Sequence, residues 1–133
     1  MFCFEDLCFR AEKVKFEAPP EKIEIVTENA VAICVKPRYA TDWRVLLQAL
    51  FYAYHWKGPA KNRNISALMF LTQRAQIREA LEASAAGSTE AICAALGPPE
   101  ELDRIDMPRG EAHYPKGRWD PWKMTVFALD LVT

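Results

Sequence analysis

No segment of this chain is both long and apolar enough to cross a bilayer. The longest strongly apolar stretches, around Val45 to Tyr54 and Ile65 to Leu71, fall well short of the roughly 20 residues a transmembrane helix needs. The four cysteines, Cys3, Cys8, Cys34 and Cys93, include no CxxC pair and lack the dense spacing of a secreted disulfide scaffold. Reduced thiols are expected. The opening MFCFEDLCFR carries acidic residues where an export signal carries positive charge, so a cytoplasmic location is expected and the Asn64-Ile65-Ser66 sequon is read as idle. His55 and His113, the two histidines, are far apart and have no Cys or carboxylate at zinc spacing. No Gly-rich phosphate loop, GxSxG elbow or HExxH is present. No internal repeat or low-complexity tract appears.

What remains is an ordinary globular composition. At 133 residues, half of them hydrophobic and 26% charged, residues 1–133 make one α/β domain with enough apolar material for one core. Net charge is −1, unevenly spread. Residues 1–28 sum to −3, residues 29–78 to +7 and residues 79–133 to −5. A basic middle segment makes a positive face only if the fold gathers Lys36, Arg38, Arg44, Lys57, Lys61 and Arg63 on one side. Scattered around a solvated surface, the same residues carry no function.

Phe2 to Arg10 reads as a short amphipathic helix, and Val14 to Phe16 as a strand closed by Pro19-Pro20. In Lys22 to Glu28, Ile23 and Ile25 alternate with Lys22 and Glu24, the period of a strand. Glu28-Asn29 is a tight turn, and Ala30 to Lys36 a nearly continuous apolar strand buried on both faces. Together they predict a hairpin. Thr41-Asp42 caps a helix from Trp43 to Trp56, whose stripe is Leu46, Leu47, Leu50, Phe51 and Tyr54. Ile65 to Thr72 reads as a central strand, Ala75 to Ala85 and Thr89 to Leu96 as helices, residues 97–121 as an irregular excursion, and Lys123 to Val132 as a last strand. The expected architecture is α/β: a mixed central sheet flanked by helices, with Trp43 to Trp56 packed across it.

The order helix, three strands, helix, strand, helix, together with KIEIVTENAVAICVKP followed by DWRVLLQALFYAYHW, resembles the PD-(D/E)XK, restriction-endonuclease-like nuclease superfamily over about residues 12–72. The Q-x-x-x-Y on the helix is similar to that of the RecB and Cas4-like branch. The resemblance implies a site in which Glu24 stands at the metal-binding acid, Cys34 at the second carboxylate and Lys36 at the lysine, with Gln48 and Tyr52 on the helix. It also implies Mg2+ or Mn2+ as cofactor and, if the protein is an enzyme, metal-dependent phosphodiester cleavage. Carboxylates would hold the ion that activates water and neutralises charge on the phosphate. Cys34 departs from this pattern, because a soft sulfur replaces a hard oxygen ligand. A degenerate, weakly active or inactive site is expected. Each residue also has a structural reading: Glu24 and Lys36 as an exposed cross-strand ion pair, Cys34 as a small core residue, Gln48 and Tyr52 as hydrogen-bonding groups one turn apart.

Near the end, HYPKGRWDPWK interleaves Lys116, Arg118 and Lys123 with Tyr114, Trp119 and Trp122. That pattern suits stacking and phosphate contact with a single strand. It equally suits packing on the sheet, or a protein-binding patch. The sequence therefore yields two readings. In the first, a nuclease-like domain binds DNA or RNA through Arg38, Arg44, Lys57, Lys61 and Arg63. In the second, an inhibitor or accessory subunit holds a protein partner through its aromatic tail.

Overall fold

Strand pairing is dictated by apolar side chains on both faces of three chain segments. A computed structural model describes residues 1–56 and 58–132. The strands are β1 (Phe2–Phe4), β2 (Leu7–Lys15), β3 (Val31–Val35), β4 (Glu90–Gly97) and β5 (Glu111–Ala112). Their order is β1-β2-β4-β3, with β5 also on β2. Strands and helices together give the expected α/β class, but every pairing among the described residues is antiparallel, so the parallel component of a mixed sheet is not seen. The helices are α1 (Trp43–His55), α2 (Arg63–Thr72), α3 (Ile77–Ala80), α4 (Pro99–Arg104) and α5 (Pro121–Val132). Phe9, Ala11, Ile33, Val35, Ile92 and Ala94 face a core shared with α1, α2 and Met124 and Ala128 of α5. Cys8, Val14, Ala32, Cys34, Cys93 and Ala95 face a second core with Leu102, Ile105 and Met107. The sheet is thus buried on both sides, which explains why β3 and β4 read as continuous apolar runs.

The helix expected over Trp43 to Trp56 is α1, and β3 lies within the strand expected over Ala30 to Lys36. Other expectations are corrected. Phe2 to Arg10 is a hairpin: Glu5 takes a positive φ of 56° at its turn, and Cys3 pairs with Cys8 across it. The strand expected over Val14 to Phe16 begins seven residues earlier, as β2. Ile65 to Thr72 belongs to α2, not a strand; residues 66–71 are buried all round, and a short, fully buried run has no periodicity to separate helix from strand. The same ambiguity works in reverse at Thr89 to Leu96, which is mostly β4. There the helix-favouring Ala91, Ala94 and Ala95 are fully buried in the sheet. Lys123 to Val132 is helical, set by Asp120 before Pro121, the favoured cap and first helical residue. The helix expected over Ala75 to Ala85 is reduced to α3 and a 3-10 turn at Leu81–Ala83, and the excursion over 97–121 contains α4 and β5.

Lys22 to Glu28 is not a strand. The Glu28-Asn29 pair was expected to close a hairpin, but a type I′ turn needs positive φ at both central residues, and neither has it. The buried carboxylate of Glu101 instead accepts the N–H groups of Glu28, Asn29 and Ala30 at 2.9, 2.9 and 3.0 Å. The thiols also differ from expectation. Cross-strand register sets Cys34 opposite Cys93 and Cys3 opposite Cys8, and both pairs are disulfides. Cysteine spacing in the sequence did not encode a framework that strand register creates.

Candidate nucleic-acid interface

Asp42 is fully buried at the N-cap of α1. Its carboxylate accepts from Arg44 N at 2.8 Å, Arg44 Nε at 3.0 Å and Arg44 Nη2 at 2.7 Å. Gly117 N donates at 2.9 Å. The Arg44 guanidinium and these backbone donors outweigh burial and hold the Asp42 carboxyl well below the usual carboxylate range. Gly117 is needed here for space: a Cβ would come within 2.6 Å of the Thr41 carbonyl oxygen. That close approach brings Arg118 and Trp119 beside α1.

The clamped Arg44 lies over the Trp119 ring, 4.9 Å from its centroid. Trp119 Nε1 donates to Gln48 Oε1 at 2.9 Å. Gln48 Nε2 faces Tyr52 Oη at 3.0 Å, the Pro121 carbonyl at 3.0 Å and Thr125 Oγ1 at 3.3 Å. Tyr52 Oη and Thr125 Oγ1 are 2.7 Å apart, and the Tyr52 ring stacks on Trp56 at 4.8 Å. Gln48 and Tyr52 therefore fasten α1 to the start of α5. Beside this seam is a cleft of about 730 Å³, whose lining includes Arg44, Gln48, Gln73, Arg118, Trp119 and Lys123. Three cations, two carboxamides and an indole converge there, with Asp120 as the acidic member.

The residues proposed for metal chemistry lie elsewhere. Glu24 is exposed and paired with Lys22 at 2.7 Å. Cys34 is buried and bonded to Cys93. Both line a cavity of about 590 Å³ between residues 21–26, β3 and α2. Lys36 Nζ donates to the Glu82 carbonyl at 2.7 Å. No group of three or more His, Cys, Asp or Glu able to hold a metal ion occurs among the described residues. One ion-paired carboxylate and a disulfide sulfur do not fit the hard oxygen set that Mg2+ or Mn2+ requires.

The basic residues singled out by sequence are not gathered at one place. Arg44 is in the cleft. Arg38 lies over its neighbour Tyr39 at 5.1 Å. Arg63 donates to the Tyr54 carbonyl at 3.0 Å and tethers the start of α2. Lys61 is exposed in the loop before α2, and Lys57 lies outside the described residues. Arg118, Trp119 and Lys123 of the tail complete the cleft, whereas Tyr114 packs with Phe2, Phe9 and Trp43. Asp42 was legible only as a helix cap; its additional bond from the Gly117 N–H, 75 residues away, was not. Comparison with known proteins finds no family model and no curated sequence that matches the chain.

Proposed function

We propose that this protein binds single-stranded nucleic acid, without cutting it, along the cleft between α1 and the start of α5. The observation that carries this reading is the aimed guanidinium of Arg44, clamped by Asp42 and laid on Trp119, beside Arg118 and Lys123. Asp42 takes Arg44 Nε and Nη2 and offsets its charge, so Arg44 serves to fix the Trp119 ring beside the other cations of the cleft. Arg118 and Lys123 add phosphate contacts along the strand. Trp122, 73% exposed and adjacent in sequence to Lys123, offers a ring face for a base. Cleavage forms no part of the proposal, because Glu24, Cys34 and Lys36 do not supply a metal-binding donor set.

Fluorescence anisotropy with labelled single-stranded DNA and RNA tests the proposal. Affinity is expected to fall with salt, and Arg118→Ala with Lys123→Ala to weaken binding. Absence of binding at low salt would reject it. A second reading draws on one further observation: Trp122, Val126 and Leu129 are all exposed on α5, at spacings of four and three residues, a stripe suited to a protein partner. Val126→Ser would impair that interaction while leaving nucleic-acid affinity unchanged, and Lys123→Ala would affect mainly the nucleic acid.

A further inference from the structure

Residues 21–26 retain the burial pattern of a strand although they pair with no strand among the described residues. Ile23 and Ile25 are half-buried against the second core, while Lys22, Glu24 and Val26 are exposed. This strap runs beside β3, the end strand of the sheet. Along an antiparallel strand, alternate residues turn both backbone groups toward the same edge. In β3 the outward groups are those of Ala32 and Cys34, and Lys36 continues the pattern: Lys36 N–H donates to the Ala83 carbonyl and the Cys34 carbonyl accepts from Ala85 N–H.

A hairpin turning at Glu28-Asn29 would pair Ile25 with Ala32, so that Ala32 N–H donates directly to the Ile25 carbonyl. Asn64, in the first turn of α2, occupies that rung. Its Oδ1 accepts from Ala32 N–H at 2.9 Å, and its Nδ2 donates to the Ile25 carbonyl at 3.0 Å. One carboxamide thus replaces one of that rung's two backbone hydrogen bonds with two in series. The strap is held off the sheet, and the cavity of about 590 Å³ lies in the gap. Both of its ends are pinned, by the Gly87 N–H to the Pro20 carbonyl at 2.7 Å and by the grip of Glu101 on residues 28–30.

We infer that residues 21–26 form a strap poised to close on β3, with Asn64 as the bracket that keeps it open and Glu101 as the fixed pivot. Withdrawal of the Asn64 side chain lets Ile25 and Ala32 exchange both backbone hydrogen bonds, which replace the two lost from the carboxamide, with a gain from the cavity volume removed. Closure stops near Glu24, because residues 84–86 already occupy the edge beyond. The asparagine is well chosen for a bracket, since it needs both an acceptor and a donor on one short planar group.

Nuclear magnetic resonance of Asn64→Ala tests the inference. Closure predicts an Hα–Hα contact between Glu24 and Ile33, absent in the parent, and an Ala32 amide whose exchange rate stays within about tenfold of the parent. An Ala32 amide that becomes unprotected, with residues 22–26 at random-coil positions, would overturn it. If Asn64→Ala does not fold, Asn64→Asp decides. It keeps the acceptor for Ala32 and loses the donor to Ile25, so the strap alone must loosen while Ala32 stays protected. An unchanged strap in that variant rejects Asn64 as the bracket.

Discussion

Two buried carboxylates hold together parts of the chain that are distant in sequence. Asp42 ties the N-terminus of α1 to residue 117, and Glu101 ties α4 to residues 28–30. Both are held below their ordinary values: Asp42 through Arg44 and backbone donors, Glu101 through the N–H groups of residues 28–30 and nearby Arg104 despite its desolvation. A carboxylate depressed in the folded state stabilises the fold fully above its unfolded value, about 4. That contribution is lost as pH falls through the folded value. Urea midpoints measured from pH 7 downward should therefore drop below about pH 4. Asp42→Ala is expected to cost about 2 kcal/mol at neutral pH, from a lost helix cap and charged hydrogen bonds, and its difference from the parent should shrink in acid. Glu101→Gln places an amide N–H against backbone donors. It should destabilise by about 2–3 kcal/mol, with the exchange of the Glu28, Asn29 and Ala30 amides accelerated first.

Among the elements, β3 and β4 depend on each other most visibly, because the Cys34–Cys93 disulfide joins them at directly opposed positions 59 residues apart in sequence. Closing so long a loop is worth about 2–4 kcal/mol, and the five-residue Cys3–Cys8 loop restricts the unfolded chain less. Thermal melts with a thiol reductant should show a lowered midpoint, and Cys93→Ala should reproduce most of that loss without reductant. A midpoint unmoved by reductant would show that the two strands do not rely on the bridge. Cys34→Asp, the substitution that would restore a carboxylate to the nuclease-like pattern, is expected to destabilise instead. It buries a charge against apolar neighbours and removes the bridge together. The seam between α1 and α5 makes a gentler demand: Gln48→Leu should loosen Trp119 and Thr125, reduce nucleic-acid affinity and leave the sheet intact.

At the scale of the whole molecule, a net charge of −1 permits a nucleic-acid interface only where cations are concentrated locally. Each phosphate contact to a single strand contributes about 0.7 to the salt dependence of log affinity. Removing Arg118 and Lys123 should therefore flatten the slope by about 1.4; an unchanged slope would place the contacts elsewhere. No helix among the described residues is long and apolar enough to cross a membrane. Some of this was determined by the sequence alone. Asp42 before an apolar stripe at helical spacing marks α1, and the apolar run at β3, rich in β-branched residues and followed by Pro37, marks a strand covered on both faces. The α/β class follows from these local patterns. Tertiary structure decided the rest, wherever local preference was balanced. AICAALG became a strand and ISALMFLT a helix because each is buried all round, so only its neighbours distinguish the two periods. Ile23 and Ile25 kept their face but lost their strand, because Asn64 and Glu101 took the hydrogen bonds of the expected hairpin. The cleft was invisible in the chain order for the same reason: Arg44 and Trp119 are brought together by tertiary hydrogen bonds, among them Gly117 N–H to Asp42 and Trp119 Nε1 to Gln48.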